Sequence, residues 1–199
     1  MTPEDFQARL LSDELEQILD EVLLAEEAVH VSAEQQAIIE KSIRETYSVS
    51  ATDLTLYIVG SSKLGFSISE KRLNDGTRLP RYRLYRAESD IDIAVVSKAI
   101  FEIIWDELSR HAHSYARMPW DSGRLGDYMI YGWLRPDHFP RGVRLRRCDN
   151  WWDLFRRLSS NPRLGRRAVR GGLFHSADHM RQYQLRALRE CQSALEAAI

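Results

Sequence analysis

Two short runs constrain what this chain can fold into. Leu54-Thr55-Leu56-Tyr57-Ile58-Val59 is apolar, β-branched and aromatic and halts at Gly60, which is how a buried strand enters a tight turn. Ser89-Asp90-Ile91-Asp92-Ile93-Ala94-Val95-Val96 opens with a two-residue alternation and predicts a second strand. On a strand, successive side chains point to opposite faces. Asp90 and Asp92 therefore project together, while Ile91, Ile93 and Val95 turn the other way into a core.

Helical patterns surround these strands. Thr2 can cap and Pro3 tolerates a first helical position, so a helix is predicted from about Phe6 to Glu27, with Leu10, Leu11, Leu15, Ile18, Leu19, Val22 and Leu23 as its stripe. Ser32 and Gln35 form a capping-box pattern that opens a second helix through Ile38, Ile39, Ile43 and Tyr47. Ser97 caps a helix from Lys98 to about His111, and Ser176 opens a final one over Ala177–Ala197, with Met180, Gln184, Leu188, Cys191 and Leu195 inward. Between them, 117–175 mixes Trp, Arg, Gly and Pro, with a short helix at Trp151–Leu158 and a strand at Val143–Cys148 expected. The fold class is α/β (α+β), a mixed sheet flanked by helices in one domain. Residues 1–48 are its N-terminal helices, 49–158 its core and 159–199 a C-terminal helical region.

At 199 residues, 44% hydrophobic and 29% charged, the composition excludes disordered and collagen-like classes. No run of about 18 apolar residues spans a membrane, and Met1-Thr2-Pro3-Glu4-Asp5 lacks the basic-then-apolar order of a secretory signal. A cytoplasmic setting without membrane attachment is expected. Cys148 and Cys191 stand apart from any metal-ligand spacing, so both read as reduced and structural. The net charge of -1 hides an asymmetry. The first 45 residues hold 12 acids against three bases, whereas Arg141–Arg170 holds ten Arg against two Asp. Such a split describes either a basic face for phosphates or two surfaces that attract each other within the fold or across a homodimer, or the acidic helices docking a protein partner.

Chemistry concentrates at Gly60-Ser61-Ser62 and Asp90-x-Asp92. Gly60 leaves room for a phosphate to approach the backbone, Ser61 and Ser62 add donors without bulk, and Lys63 adds a cation beside the turn. Two carboxylates on one strand face repel unless a cation neutralises them, and all-oxygen ligands suit Mg2+ or Mn2+.

In this arrangement of an apolar strand, Gly-Ser, a spacer and Asp-x-Asp, over roughly residues 54–97, the chain resembles the nucleotidyltransferase superfamily that includes DNA polymerase beta. It is also similar to small bacterial nucleotidyltransferase-like proteins, some associated with defence against phage. The resemblance implies that Gly60, Ser61, Ser62 and Lys63 hold a nucleoside triphosphate, ATP foremost, and that Asp90 and Asp92 bind metal. The implied reaction transfers a nucleoside monophosphate to a hydroxyl on RNA, a protein or a small molecule. The family also needs a third carboxylate from a later strand. Asp149 is the expected candidate, with Asp127 and Asp153 behind it. Without that acid, the implied alternative is a degenerate module that binds nucleotide or nucleic acid and a protein partner without turnover.

Other features read more plainly. The spacer, longer than in the smallest family members, carries Lys71, Arg72, Arg78, Arg81, Arg83 and Arg86 and implies an inserted hairpin, whose arginines form a wet strand face or grip a nucleic-acid backbone. Trp120, Trp133, Trp151 and Trp152 suggest core or interface before base stacking. His111, His113, His175 and His179 suggest caps or surface.

Overall fold

A computed structural model describes residues 1–25, 27–73, 75–114, 122–135 and 145–198, with 122–125 described as backbone alone. Helix α1 (Pro3–Ser12) starts with the Thr2/Asp5 capping box, each hydrogen bond 3.1 Å. The predicted long first helix then breaks. Asp13 is extended, α2 (Leu15–Ile18) restarts the chain, and a π-helical turn (Leu19–Leu23) follows. Ser12 and Asp13 favour local hydrogen bonds over helix continuation, and the Ser12 hydroxyl donates to Asp13 at 2.7 Å. The break keeps Leu10, Ile18, Leu19 and Leu23 in one core. Helix α3 (Ala33–Tyr47) begins at Ser32 with the predicted capping box.

Strand β1 (Thr55–Val59) leads into the short α4 (Gly60–Leu64). The spacer is a hairpin. Strands β2 (Phe66–Ser67) and β3 (Lys71–Arg72) return as β4 (Arg78–Leu79) and β5 (Arg83–Leu84), with β2 pairing β5 and β3 pairing β4. Strand β6 (Ile91–Val96) then runs antiparallel to β1, and α5 (Lys98–His113) follows with its Ser97 cap. After α6 (Ser122–Tyr131) and β7 (Trp133–Leu134) come α7 (Arg146–Ser160), β8 (Val169–Phe174) and α8 (Ala177–Glu196). The sheet order is β1-β6-β8-β7, with β6 and β8 parallel and the outer pairs antiparallel, which makes it mixed.

Two further expectations are corrected. Arg146–Cys148 belong to the first turn of α7, not to a strand, and Val143 and Arg144 lie outside the described residues, as does Trp120. The amphipathic run Cys148, Trp151, Leu154, Phe155 and Leu158 has helical spacing and is buried, so packing decides for helix. The region after 159 is not helical throughout and contains β8, a central strand of the sheet. Gly171-Gly172 masked it, because glycine weakens strand propensity where another group must approach.

The sheet has two unlike faces. Ile91, Ile93 and Val95 point to a core built with α3, α5 and α7. Asp92, Ala94 and Val96 point to the opposite face, where Ala94 and Val96 meet Phe174 and Met180. A further core unites α1, α2, Leu64, Phe66 and Ile68 with Leu185, Leu188 and Cys191 of α8. The acidic N-terminus is partly neutralised within the fold: Arg9 bridges Asp13 and Glu21, Arg181 pairs with Asp20, and Arg163 pairs with Glu34. These exposed pairs fix register more than they stabilise. Among the described residues no helix is long and apolar enough to cross a membrane.

At Gly171, α7 touches the sheet backbone. A Cβ there would lie 2.8 Å from Phe155 Cε1 and 3.2 Å from Trp151 Cζ2. Gly171→Ala is expected to destabilise the fold by about 1–3 kcal/mol through overpacking. Chemical denaturation followed by circular dichroism checks this, and an unchanged midpoint would contradict the packing of α7 on β8.

Candidate functional site

The β1–β6 register places Val59 opposite Asp92, so the turn that leaves β1 must pass over that carboxylate. Gly60 makes the pass with φ of 65°, which glycine adopts without strain. A Cβ at Gly60 would sit 3.0 Å from Asp92 Oδ2 and 3.5 Å from Asp92 Cβ. Glycine is needed here for both reasons, and the turn and the acid share one cavity.

The other turn residues do different work. The fully buried Ser62 donates its hydroxyl to the Val59 carbonyl at 3.1 Å, closing the turn on itself. Ser61 is half-buried and lies outside the cavity lining, as does Ser62. Lys63, expected beside a phosphate, is buried. Its ammonium donates to the Ala25 carbonyl and, at 2.9 Å, to that of Glu27. Backbone bonds from Val29 to Lys63 and from His30 to Ser62 complete this seam. Burial pushes the Lys63 ammonium below the ordinary lysine range, with Glu27 opposing. Lys63 thus tethers the N-terminal segment to α4.

The cavity holds about 290 Å³. Val59, Gly60, Asp92 and Ala94 form one side; Arg170, Gly172 and Phe174 of β8 and Trp133 and Arg135 beyond them form another; Tyr183, Gln184 and Ala187 of α8 close it. Asp90 does not line it. Arg170 lies opposite Asp92 in the parallel register of β6 and β8, and its Nε contacts Asp90 Oδ2 at 2.9 Å. Burial foremost, and then the charge of Asp90, holds the Asp92 carboxyl above the ordinary carboxylate range; Arg170, Arg135 and Lys71 pull the other way.

The expected third carboxylate does not take its place. Asp149 is exposed in the first turn of α7, with its amide bonded to Leu145, and does not line the cavity. Asp153 pairs with Arg156 on the same helix at 2.9 Å, and Asp127 lines a separate outer cavity. On the strand beside Asp92, the residue in register is Arg170. Among the described residues no cluster of three or more His, Cys, Asp or Glu assembles as a metal site. Two carboxylates with a guanidinium on one and three cationic charges bearing on the other do not fit a pair of divalent cations in this arrangement.

Sequence reasoning missed Arg135, Arg170 and the place of Gln184 in the cavity lining. The signal for Arg170 was present: Val169 and Leu173 flank it at strand spacing, but two glycines between them hid the strand. Lys71, Arg72, Arg78 and Arg86 are exposed, as a wet strand face requires, but Arg81 and Arg83 differ from both expectations. Arg81 donates to the Ile68 carbonyl at 2.8 Å and Arg83 to those of Leu79 (3.0 Å) and Pro80, so they staple the hairpin's own backbone. Of the tryptophans, Trp151 is core, Trp152 is exposed and Trp133 lines the cavity. His179 receives and supplements the Ser176 cap, and His113 contacts the Ser109 carbonyl.

No protein-family model matches this chain, and comparisons with curated proteins and with solved structures likewise give no match.

Because the folded-state value of Asp92 is raised, folding favours its protonated form. Its contribution is complete below the unfolded-state value and is lost as pH rises through the folded one. Asp92→Asn is therefore expected to be more stable than wild type at neutral pH. The gap should close as pH falls into the carboxylate range; thermal unfolding across pH measures it, and a gap that widens on acidification would contradict the assignment.

Proposed function

We propose that this chain is a nucleotidyltransferase-like module that binds the phosphates of a nucleoside triphosphate without turning it over. The observation that carries the reading is Arg170, which stands in register with Asp92 and is ion-paired to Asp90. Where the resemblance calls for a third acid on a later strand, a guanidinium neutralises the acidic pair instead. With Arg135 and Lys71 also bearing on Asp92, the local charge suits an anion more than a second cation. Gly60 leaves the backbone open beside it. Buried, unpaired Cys148 and Cys191 suit a cytoplasmic setting.

A second reading, metal-dependent nucleotidyl transfer to RNA, a protein or a small molecule with Mg2+ or Mn2+, is favoured by one observation, the 3.0 Å approach of the Gly60 position to Asp92. It requires Arg170 to leave Asp90, and the Arg170 side chain is 58% exposed.

Calorimetric titration with ATP separates the two. Retained binding in EDTA is expected, weakened about tenfold or more by Arg170→Ala, the scale of a hydrogen bond to a charged group. Arg170→Asp is expected to make binding dependent on divalent cations. Pyrophosphate release by wild type that Asp92→Ala abolishes would sink the binding-only reading in favour of transfer.

A further inference from the structure

A second, smaller cavity of about 270 Å³ opens against the same arginines. Arg135 and Arg170 line both it and the cavity at Asp92, while Trp151, Trp152 and Phe155 of α7 form its apolar side. The sheet is short at this edge, which is how one side chain can reach both spaces. Among the described residues β7 pairs with β8 only at Trp133–Phe174 and Leu134–Leu173, so Val169, Arg170 and Gly171 have no β7 residue beside them.

The flank of α7 that borders this cavity is the one turned toward β8. Phe155 packs at Gly171, and the Ser159 hydroxyl accepts the Val169 amide at 2.9 Å. Trp152 and Arg156 lie on the same flank by helical spacing. Trp151 is core, but Trp152 is 40% exposed beside the arginines. The Arg170 side chain is 58% exposed although its Nε bonds Asp90, so the rest of the guanidinium fork is open to a further acceptor. Arg156, one turn after Trp152, is exposed and shares its charge with Asp153, and Arg166 is exposed on the approach to β8. On the hairpin side Lys71 and Arg72 are exposed, and the charge of Lys71 bears on Asp92. An open indole face therefore sits between cationic groups at the edge of the sheet.

We infer that this edge binds single-stranded nucleic acid, with a base stacked on the Trp152 indole and the adjoining backbone phosphate on Arg170. The inference extends the phosphate-binding reading above from one nucleotide to a strand, since the same guanidinium serves both. A nucleic-acid strand repeats a planar base and a phosphate at every step, so it meets the ring and the fork together. An acidic peptide would satisfy the arginines and leave the indole face wet. A duplex keeps its bases paired and stacked and offers the ring nothing, and stacking of this kind accepts every base.

The test titrates mixed-sequence single strands of about 12 nucleotides, as RNA and as DNA, with the matching duplex, polyglutamate and ATP, into wild type, Trp152→Leu, Trp152→Phe and Arg170→Ala. Wild type is expected to bind one or both single strands about tenfold or more tighter than ATP, the duplex or polyglutamate, and the RNA and DNA arms tell which sugar is taken. Trp152→Leu should lose about tenfold for the strand and nothing for ATP, while Trp152→Phe, which keeps a ring, should stay near wild type. Arg170→Ala should weaken strand and ATP alike. If the Leu variant fails to fold, the comparison of strand with duplex in wild type carries the test. Strand binding no tighter than that of the duplex or polyglutamate, or unchanged in a folded Trp152→Leu protein, overturns the inference; ATP binding that persists then leaves the phosphate reading standing. Tight, Trp152-dependent strand binding without any binding of ATP upholds the strand site and sinks the triphosphate reading, and loss of all binding by wild type overturns both.

Discussion

A carboxylate pressed under a glycine turn is costly to ionise unless something positive stands near, and the arrangement around Asp92 answers that constraint. The β1–β6 register puts the acid beneath Gly60, and burial raises its proton affinity. Relief comes from the neighbouring parallel strand, where Arg170 falls opposite Asp92 and bonds Asp90. The pair is half in solvent, so its worth lies in orientation and local charge more than in stability. On the proposed reading, the cationic groups beside these acids favour an anion such as phosphate, while the nucleotide itself rests on the resemblance.

The supporting structure is arranged to hold that turn still. Lys63 donates to the carbonyls of Ala25 and Glu27, and Ser62 donates its hydroxyl to that of Val59, so two residues of the Gly-Ser-Ser-Lys segment stabilise the turn. The hairpin is clasped in the same manner by Arg81 and Arg83, and His30 stacks on Tyr85 at 4.0 Å with Arg167 bonding the Tyr85 hydroxyl. Charged side chains that look like ligand contacts in a linear reading are here satisfied by main-chain oxygens. Buried carbonyls need donors, and long basic side chains reach them while leaving their stems against apolar neighbours.

Much of the fold was legible because its signals are local. The caps at Thr2, Ser32, Ser97 and Ser176, the alternation around Asp90 and Asp92, and the helical stripe of α5 each act within a few residues, and each appears where expected. The failures share one cause. The N-terminal helix breaks at Asp13, Cys148 sits on a helix, and β8 contains two glycines; these outcomes depend on what packs against the segment.

For the site the division is the same. The sequence by itself determined that a glycine turn closes one strand and a pair of acids opens the next, and that both acids share a face, since backbone alternation dictates this without reference to any neighbour. Tertiary structure alone decided that the strand beside Asp92 presents Arg170 and not an acid, that Lys63 faces carbonyls, and that Gln184 of α8 faces the cavity. Residues 92 and 170, or 60 and 184, meet only through sheet register and helix docking. Those are set by the burial of apolar surface over the whole chain, which no short stretch of sequence contains.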